Sequence, residues 1–543
     1  MPPAVPSMQI DEAADFRKVW RAAGFSDLFM PLNDLLVRGG DGRLVLDHAR
    51  GVNEYGCGPF PTPDTLCFAS STASSISEAA YERAGLAREK MMRSAIAVGF
   101  ETAFETRAEE MREELKACLE LATPEVEVIF SPSGTDSQLH ALALARSLLG
   151  PKLTTIVVAA DQTGSGAAYT ARGHHFNSRT AAGRLVRKDT PIAGLSGDSI
   201  GLPLLETSQG IEARADGDVA VLETIETVVA GGAAVLLQIM DASKLGWRAP
   251  SEACLDEIAR RWPNRVAIVV DACQMRLSRR RLKTYLDRGY MVLMTGSKFF
   301  GGPAFSGALL LPATFVRSLR RTEVIAAGLV DYASRSDWPK ALPAWRSAFG
   351  SRPNIGQWLR WEAALSEMTA YYRLPDAFRE LALRELGATI ASLIMLSPSL
   401  GLVASAPKTS DQDEEFAHAT IFPFTLRRDG RLLAVAECRL LHRALTRDCG
   451  DLLAGNPTEQ AIAARRCLVG QPVRVERQGE PPTAALRLCV GARHVADIWS
   501  PDQHVAHQNL LREVDRVADV IAKVELLLAR GDWSEFTEPG YGS

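Results

Sequence analysis

Residues 266–274, VAIVVDACQ, and residues 291–298, MVLMTGSK, decide the fold of this chain. Each segment begins with an apolar run of strand length and ends in polar residues, Asp271 in the first and Thr295, Ser297 and Lys298 in the second. Apolar strands of this kind lie inside a sheet, with polar residues where the strands end. The sequence therefore predicts a carboxylate and a lysine, each at the C-terminal end of a buried strand.

Strands and helices alternate on both sides of these two segments. Further strands are predicted at residues 126–130, 154–160, 235–240 and 307–311, and helices at residues 137–149 and 251–261. Buried strands separated by helices indicate a mostly parallel sheet covered on both faces. Ligands of such sheets bind outside the carboxyl ends of the strands. The predicted fold class is α/β, with a sheet of the seven-stranded type and a smaller α+β domain after it.

The length of 543 residues exceeds what one core usually holds, so more than one domain is expected. Residues 1–85 are rich in Pro, Gly and Ser and are predicted to form an extended arm, in which contacts to a substrate from Tyr55, Cys57 or Ser71 are less expected than loop packing. Residues 86–356 are predicted to form the large domain, in which residues 87–121 have a helical pattern. Residues 357–543 are predicted to form the small α+β domain.

Composition and charge exclude several classes of protein. The net charge of −4 argues against a general nucleic-acid binder, which would be basic. No apolar run is long enough to span a membrane, and the first residues do not resemble a signal peptide. The nine cysteines form no C-x-x-C pair, so neither a zinc site nor a disulfide framework is predicted. A reduced cytoplasmic location fits this composition best.

Three more segments carry polar residues that suit a binding site. Residues 130–145, FSPSGTDSQLHALALA, place Gly134 and Thr135 in a turn before a helix, where N–H groups and a hydroxyl can bind a phosphate. Residues 241–246, DASKLG, follow a buried strand and include Ser243. Arg487 lies in the apolar strand ALRLCV, residues 485–490, where a half-buried guanidinium needs an anion. For Arg487, an internal ion pair and a substrate carboxylate are equally compatible with the sequence.

The pairing of Asp271 with Lys298 matches the chemistry of pyridoxal 5'-phosphate (PLP). A carboxylate keeps the pyridine nitrogen protonated, and a lysine amine forms the Schiff base and later moves the Cα proton. Together with the other segments, these residues resemble the fold-type I PLP enzymes, specifically the class V aminotransferase and cysteine desulfurase group. The resemblance covers about residues 120–370, with a weaker similarity at residues 485–497. It implies a PLP-dependent transferase-like large domain.

The resemblance also implies roles for individual residues. In that group, the residues corresponding to Gly134, Thr135, Thr295 and Ser297 contact the cofactor phosphate, and Lys298 forms the Schiff base. Asp271 would pair with the pyridine nitrogen, and Gln274 would contact the phenolic oxygen. Ser243 stands where an Asn is common in the group.

The same resemblance implies contacts from outside the central site. Residues 351–365, SRPNIGQWLRWEAAL, resemble the segment by which a neighbouring subunit reaches the phosphate. Arg352 or Asn354 would then act across a homodimer with a shared active site. Arg487 would bind the carboxylate of an amino-acid substrate.

The sequence departs from the group at two positions. The ring-stacking aromatic residue of the group falls near Gly164, so that Thr163, His174 or His175 takes its place or the ring is covered differently. His174 and His175 have no third residue to complete a metal site. Cys438, the nearest candidate for a desulfurase nucleophile, lies in a helical segment and is predicted to be a buried structural cysteine.

These observations predict a PLP-dependent enzyme that acts on a small amino acid through an external aldimine and a carbanion. Cleavage of a C–S or C–C bond in the side chain, or related aldol-type chemistry, is slightly preferred because the resemblance leans towards the desulfurases. An aminotransferase is the first alternative. A non-catalytic PLP-binding or regulatory protein is the second.

Overall fold

Two β-sheets organise the chain in the computed structural model, which describes residues 24–69, 73–121, 126–206, 212–213, 216–319, 325–403, 414–452, 456–475 and 482–536. The strands are β1 Leu66–Phe68, β2 Glu127–Ser131, β3 Leu153–Val158, β4 Asp198–Leu202, β5 Leu205–Glu206, β6 Glu212–Ala213, β7 Ala234–Met240, β8 Val266–Asp271, β9 Met291–Thr295, β10 Gly307–Leu311, β11 Leu400–Leu402, β12 Ile421–Arg428, β13 Arg431–Leu432, β14 Cys467–Val475 and β15 Thr483–Cys489.

Helices separate most of these strands. They are α1 Leu32–Leu36, α2 Glu78–Val98, α3 Phe100–Cys118, α4 Gly134–Leu149, α5 Ala167–Thr170, α6 Gly217–Ala230, α7 Glu252–Arg261, α8 Arg279–Asp287, α9 Ala313–Leu319, α10 Pro343–Ser347, α11 Ile355–Tyr372, α12 Asp376–Leu396, α13 Val435–Leu445, α14 Pro457–Ala464, α15 Ala492–Ile498 and α16 Gln503–Arg530.

The larger sheet has seven strands in the order β2-β10-β9-β8-β7-β3-β4. Strands β9, β8, β7, β3 and β4 pair in parallel, whereas β10 runs antiparallel to both of its neighbours. The α/β class with a mostly parallel seven-stranded sheet is therefore confirmed. The parallel strands end at one edge, which is where Asp271 and the segment of Lys298 lie.

Both faces of this sheet are buried, as the continuous apolar strands predict. In β8, Ile268 and Val270 join one core with helices α2, α3 and α11, whereas Ala267 and Val269 join the other core with helix α4. Alternate side chains of a strand point to opposite faces, so a strand that is covered on both sides has to be apolar throughout. The site therefore rests on a rigid, close-packed platform.

The smaller sheet combines distant parts of the chain. Its strand order is β1-β14-β15-β12-β11, and β13 pairs with β12. Strand β1, which lies in the predicted arm, pairs in parallel with β14 through Leu66 and Cys467. The arm is held a second time by Arg360 of α11, whose guanidinium donates to the carbonyl oxygens of Leu36 at 2.9 Å and Arg38 at 2.6 Å.

Two local features were not predicted. The helical pattern over residues 87–121 forms two helices, α2 and α3, that meet at Gly99. Gly99 has a φ of 86°, a conformation that favours glycine and ends the first helix. Strand β4 was not predicted because Asp198–Leu202 is a short, half-exposed strand at the edge of the sheet and has no continuous apolar run.

No described helix combines the length and the apolar character that crossing a membrane requires.

Candidate active site

Asp271 ends strand β8 and supplies a carboxylate that has no ion-pair partner in the described part of the chain. One of its oxygens accepts a hydrogen bond from the backbone N–H of Cys273 at 3.1 Å. Burial raises the pKa of the Cys273 thiol well above its usual range, with Asp271 adding to the rise and Lys298 opposing it. The thiol is thus within electrostatic reach of both residues, so the structure brings the predicted carboxylate and lysine to one place.

Lys298 lies in a tightly closed loop that follows strand β9. The N–H of Gly296 donates to the carbonyl oxygen of Ser306 at 2.9 Å, and the N–H of Gly302 donates to that of Gly296 at 3.1 Å. A Cβ atom on Gly296 would lie 2.5 Å from the Cβ of Ala364, because helix α11 presses against the loop. The loop and α11 therefore fix the backbone of the half-buried Lys298.

The N-terminus of helix α4 lies beside these two residues. Ser133 caps the helix, and its hydroxyl accepts a hydrogen bond from the N–H of Asp136 at 3.2 Å. Within the described residues, the N–H groups of Gly134 and Thr135 make no hydrogen bond. A Cβ atom on Gly134 would lie 2.5 Å from the Sγ of Cys273 and 3.5 Å from a methyl carbon of Thr295, so only glycine fits. These free N–H groups form a cradle for an anion.

The four predicted hydroxyl groups fall into two sets. Neither Thr135 nor Ser297 makes a side-chain hydrogen bond in the described part of the chain. Thr135 lies in the first turn of helix α4, and Ser297 directly precedes Lys298. Thr295, by contrast, donates to the carbonyl oxygen of Cys273 at 2.8 Å. Ser243 accepts hydrogen bonds from the N–H groups of Leu245 at 3.2 Å and Trp247 at 3.0 Å, so its hydroxyl holds a turn.

The arm contributes a cation to this cradle that the sequence did not indicate. Arg43 pairs with Asp41 at 2.5 Å and lies 3.4 Å from the hydroxyl of Ser133. The carboxylate of Asp136 accepts a hydrogen bond from the same hydroxyl at 2.5 Å. Burial, together with the Asp41 carboxylate, raises the pKa of Asp136 to about 7. This neutral or half-charged acid reduces the repulsion that a bound phosphate would meet.

Arg487 lies on strand β15 and is almost fully buried. Its Nη1 donates to the carbonyl oxygen of Lys244 at 3.4 Å and its Nη2 to that of Gln471 at 3.1 Å. The Nε atom is buried without a partner, and no described carboxylate forms an ion pair with the guanidinium. Burial of the guanidinium lowers the pKa of Arg487 from its usual range. Of the two possibilities left by the sequence, an internal ion pair is absent from the described residues.

Lys244 is a site residue that the sequence reasoning missed. It follows strand β7 in the turn held by Ser243, and its charge interacts with those of Arg487 and Lys298 and, with opposite sign, with those of Asp161 and Asp271. Burial, reinforced by the two neighbouring cations, lowers the pKa of Lys244 to about 8. A lysine in a polar loop resembles a surface lysine, and only the packing of strand β15 against this turn reveals its burial.

The structure places the predicted ring-stacking candidates as follows. Gly164 faces open space, and the hydroxyl of Thr163 donates to the carbonyl oxygen of Ala160 at 3.1 Å. His174 contacts Asp189 at 2.9 Å, and His175 contacts the hydroxyl of Tyr332 at 2.6 Å. No aromatic side chain therefore stands at Gly164 itself, and both histidines have partners of their own.

The remaining predicted contacts lie further out. Gln274 is buried three residues after Asp271. The side chain of Asn354 caps helix α11 and donates to the carbonyl oxygen of Gly39 at 2.9 Å. Arg352 donates to the carbonyl oxygen of Ala333 at 3.3 Å. The action of Arg352 or Asn354 across a dimer stays a prediction.

A cavity of about 400 Å³ opens beside Lys298. The arm forms one wall of it with residues 61–79 in part, and helix α15 forms another through Arg493 and Asp497. Tyr55 and Cys57 do not line this cavity, whereas Ser71 lies outside the described residues. The arm therefore borders the lysine through residues on either side of Ser71, among them Ala69 and Ser74.

Cys438 is fully buried in helix α13, as its sequence context predicts. Its thiol is within hydrogen-bond distance of the carbonyl oxygens of Ala484 at 3.5 Å and Leu433 at 3.8 Å. Burial raises the pKa of this thiol to about 11, which keeps it protonated and unreactive.

Three residues other than glycine have a positive φ in loops next to these segments. They are Ala159 after strand β3, Met275 after Gln274, and Phe305 before strand β10, with φ of 59°, 50° and 71°. Left-handed backbone at such residues is strained and persists where the surrounding structure enforces it, often at functional sites.

Three solved structures align with most of the chain. A phosphoserine aminotransferase, SerC, from Cytophaga hutchinsonii aligns at 14% identity and a TM-score of 0.44, over 83% of this chain and 98% of its own. TDC from Oryza sativa, crystallised with PLP and tryptamine, aligns at 14% identity and a TM-score of 0.46, over 95% and 99%. The cysteine desulfurase CsdA from Escherichia coli aligns at 14% identity and a TM-score of 0.46, over 84% and 95%.

The three proteins thus include an aminotransferase and a cysteine desulfurase. No family model and no curated protein sequence matches the chain.

Proposed function

We propose that the protein is a PLP-dependent enzyme that acts on a small amino acid. One observation carries the proposal: Asp271, a carboxylate without an ion-pair partner among the described residues, and Lys298 lie at the ends of adjacent parallel strands, beside the N–H groups of Gly134 and Thr135. A structural role would pair the carboxylate and fill the helix terminus with a neighbouring side chain. Both are instead left available for a ligand.

The residues of the site fit this cofactor. The phosphate would be held by the N–H groups of Gly134 and Thr135 and by the hydroxyls of Thr135 and Ser297, with Thr295 closing the wall beside Gly134. Asp271 would accept a hydrogen bond from the pyridinium nitrogen and hold its proton there. When bound, the cofactor supplies an electron sink for the bond that breaks at the substrate.

Other residues are assigned to the rim of the cofactor site. Gln274 would contact the phenolic oxygen, and the turn held by Ser243 would border the ring. Arg352 or Asn354 would reach the phosphate of a neighbouring subunit, which makes the protein a homodimer with a shared site. The arm at residues 1–85, the large domain at residues 86–356 and the small domain at residues 357–543 belong to the same proposal.

Arg487 and Lys298 would divide the work on the substrate. Arg487 would bind the carboxylate of the amino acid through its unpaired Nε and a neighbouring nitrogen, which orients the bonds at Cα. The Nζ of Lys298, after release by the substrate amine, would accept and return the Cα proton.

For the bond that breaks, we propose side-chain cleavage, by a C–S or C–C lyase or by related aldol-type chemistry, with a slight preference over transamination. The preference comes from the resemblance to the desulfurase branch, although the buried Cys438 speaks against persulfide chemistry. An aminotransferase is the alternative. It would leave the cofactor in the stable pyridoxamine form with an amino donor alone, whereas a lyase would release a side-chain fragment and turn over.

The visible spectrum of the purified protein tests the proposal. PLP-loaded protein is expected to show a band near ~420 nm that disappears in the Lys298→Ala variant. Borohydride reduction followed by peptide mass spectrometry is expected to place the cofactor on Lys298, with Lys283→Ala as an exposed control. Absence of the band in PLP-treated protein would refute the proposal. A band without turnover of any amino acid would favour a non-catalytic PLP-binding protein.

A further inference from the structure

Among the described residues, no anion pairs with the buried Arg487. Its guanidinium makes two hydrogen bonds, to the backbone carbonyl oxygens of Lys244 and Gln471, and its Nε has no partner. Carbonyl oxygens satisfy only part of a guanidinium, and a buried charge without a counter-charge is costly. Under the proposed function, the carboxylate of the substrate removes this cost.

Lys244 places a second cation next to Arg487. Its amine makes no hydrogen bond and no ion pair with any described residue. Its backbone is fixed on both sides: the carbonyl oxygen accepts from Arg487 at 3.4 Å, and the hydroxyl of Ser243 accepts from Leu245 and Trp247. The amine therefore projects from a rigid turn at the carboxyl edge of the sheet, with its charge in reach of Arg487 and Lys298.

Among the described residues whose charges act on Lys244, two are cations, Arg487 and Lys298, and two are carboxylates, Asp161 and Asp271. Together with Lys244 itself, this group carries one net positive charge. Asp161 accepts a hydrogen bond from the N–H of Leu204 at 2.7 Å, and Asp271 is assigned to the cofactor nitrogen. An amino acid with a neutral side chain brings one carboxylate. This carboxylate neutralises the charge of Arg487, whereas the charge of Lys244 stays without a partner.

We propose that Lys244 binds a second acidic group, so that the substrate is an amino acid with an anionic side chain. Arg487 takes the α-carboxylate, and Lys244 takes the acidic end of the side chain. The inference rests on the proposed function, because it assigns Arg487 and Asp271 as that function does. The anionic group is a carboxylate or a phosphate-like group, and the two are separated by the ligands used below.

Binding of simple acids to the PLP-loaded full chain tests this. Isothermal titration calorimetry would compare succinate with butyrate, which differ in one carboxylate, and 3-phosphonopropionate with both. The doubly charged acids are expected to bind about 10- to 100-fold more tightly than butyrate, the range for a hydrogen bond to a charged group. The tighter of succinate and 3-phosphonopropionate identifies the anionic group.

Substitution of Lys244 supplies the decisive comparison. In the Lys244→Met variant, the doubly charged acids are expected to fall to the affinity of butyrate, which itself stays unchanged, while Lys244→Arg restores the difference. The exposed Lys283→Met is the matched control and should behave as wild type. Equal binding of succinate, 3-phosphonopropionate and butyrate to wild type would overturn the proposal.

The remaining outcomes separate this inference from the proposed function. If Lys244→Met weakens the binding of PLP itself and leaves the preference for doubly charged acids intact, Lys244 is a cofactor ligand and the inference is wrong. If the wild type shows the band of Lys298 but no preference for a second acid group, the cofactor assignment stands and the inference falls. If the band is absent, the proposed function has failed before this test begins.

Discussion

The Nη1 atom of Arg487 donates a hydrogen bond to the carbonyl oxygen of Lys244, 3.4 Å away. This contact joins strand β15 of the smaller sheet to the turn after strand β7 of the larger one. It holds the turn by its backbone and leaves the lysine amine free. The two sheets therefore share the construction of the site, and changes in either sheet should alter substrate binding.

Gly134→Ala should weaken both cofactor binding and the fold. The new Cβ would lie 2.5 Å from the Sγ of Cys273, and such overpacking costs about 1 to 3 kcal/mol. We expect a lower unfolding temperature and a higher Kd for PLP in an absorbance titration. The Gly134→Ala/Cys273→Ala double variant removes the clashing sulfur and should recover most of the loss. Gly164→Ala, which meets open space, is the control; equal effects at the two glycines would contradict the cradle.

Asp271→Asn should slow turnover without removing the cofactor. The amide cannot hold the proton on the cofactor nitrogen by charge, and removing one preorganised electrostatic contact commonly lowers kcat by about 10²- to 10³-fold. The band near ~420 nm should persist, because Lys298 is intact. Steady-state kinetics with the best amino donor measures the effect, with the exposed Asp287→Asn as control. Full activity of Asp271→Asn would remove Asp271 from the site.

Asp136→Asn should stabilise the protein increasingly as the pH rises. Burial raises the pKa of Asp136 from 3.8 to about 7, so the folded state keeps the proton where the unfolded state loses it. The stabilising contribution of the protonated Asp136 is complete below pH 3.8 and is lost by about pH 7. Between these two pH values, the free energy of unfolding of the wild type falls by a few kcal/mol. The substitution removes this loss.

The measurement for Asp136 is the difference in unfolding temperature between the variant and wild type. It should grow from pH 4 to about pH 7 and stay constant above that value. The exposed Asp198→Asn should show no such trend. A difference that does not change with pH would mean that Asp136 is ionised throughout.

Cys438→Ala should leave catalysis unchanged. The thiol is buried in helix α13 with its pKa raised to about 11, so it is not available as a nucleophile. Loss of the sulfur leaves a small cavity that should cost about 1 kcal/mol, visible in thermal unfolding. Assays with cysteine as substrate provide the check. Loss of turnover in a folded Cys438→Ala protein would return persulfide chemistry to consideration.

The large sheet could be predicted because its strands are buried on both faces. Segments such as VAIVVD and MVLM can be accommodated only inside a covered sheet, and strands β8 and β9 lie within one residue of the predicted bounds. Strand β4 was not predicted since Asp198–Leu202 is half-exposed at the edge of the sheet and has no continuous apolar run. The break at Gly99 escaped because the apolar spacing continues across it.

The candidate site was only partly accessible from sequence. Asp271 and Lys298 are marked locally, because each polar residue follows an apolar run. Lys244 has no such local signal, since its surroundings depend on Arg487, more than 200 residues further along the chain. Arg43 was hidden for the same reason: its place near Ser133 depends on the path of the arm and on no local pattern.

The pairing of strand β1 with strand β14 bears on how the chain folds during synthesis. Leu66 and its partner Cys467 are about 400 residues apart, so the ribosome produces one long before the other. Until then, Leu66–Phe68 has no strand to pair with, and the smaller sheet cannot be completed. Contacts of such long sequence separation form slowly. We expect the docking of Leu66–Phe68 onto strand β14 to be the last step that completes the smaller sheet. A chaperone or a heat pulse should act on the intermediate in which this strand is still undocked.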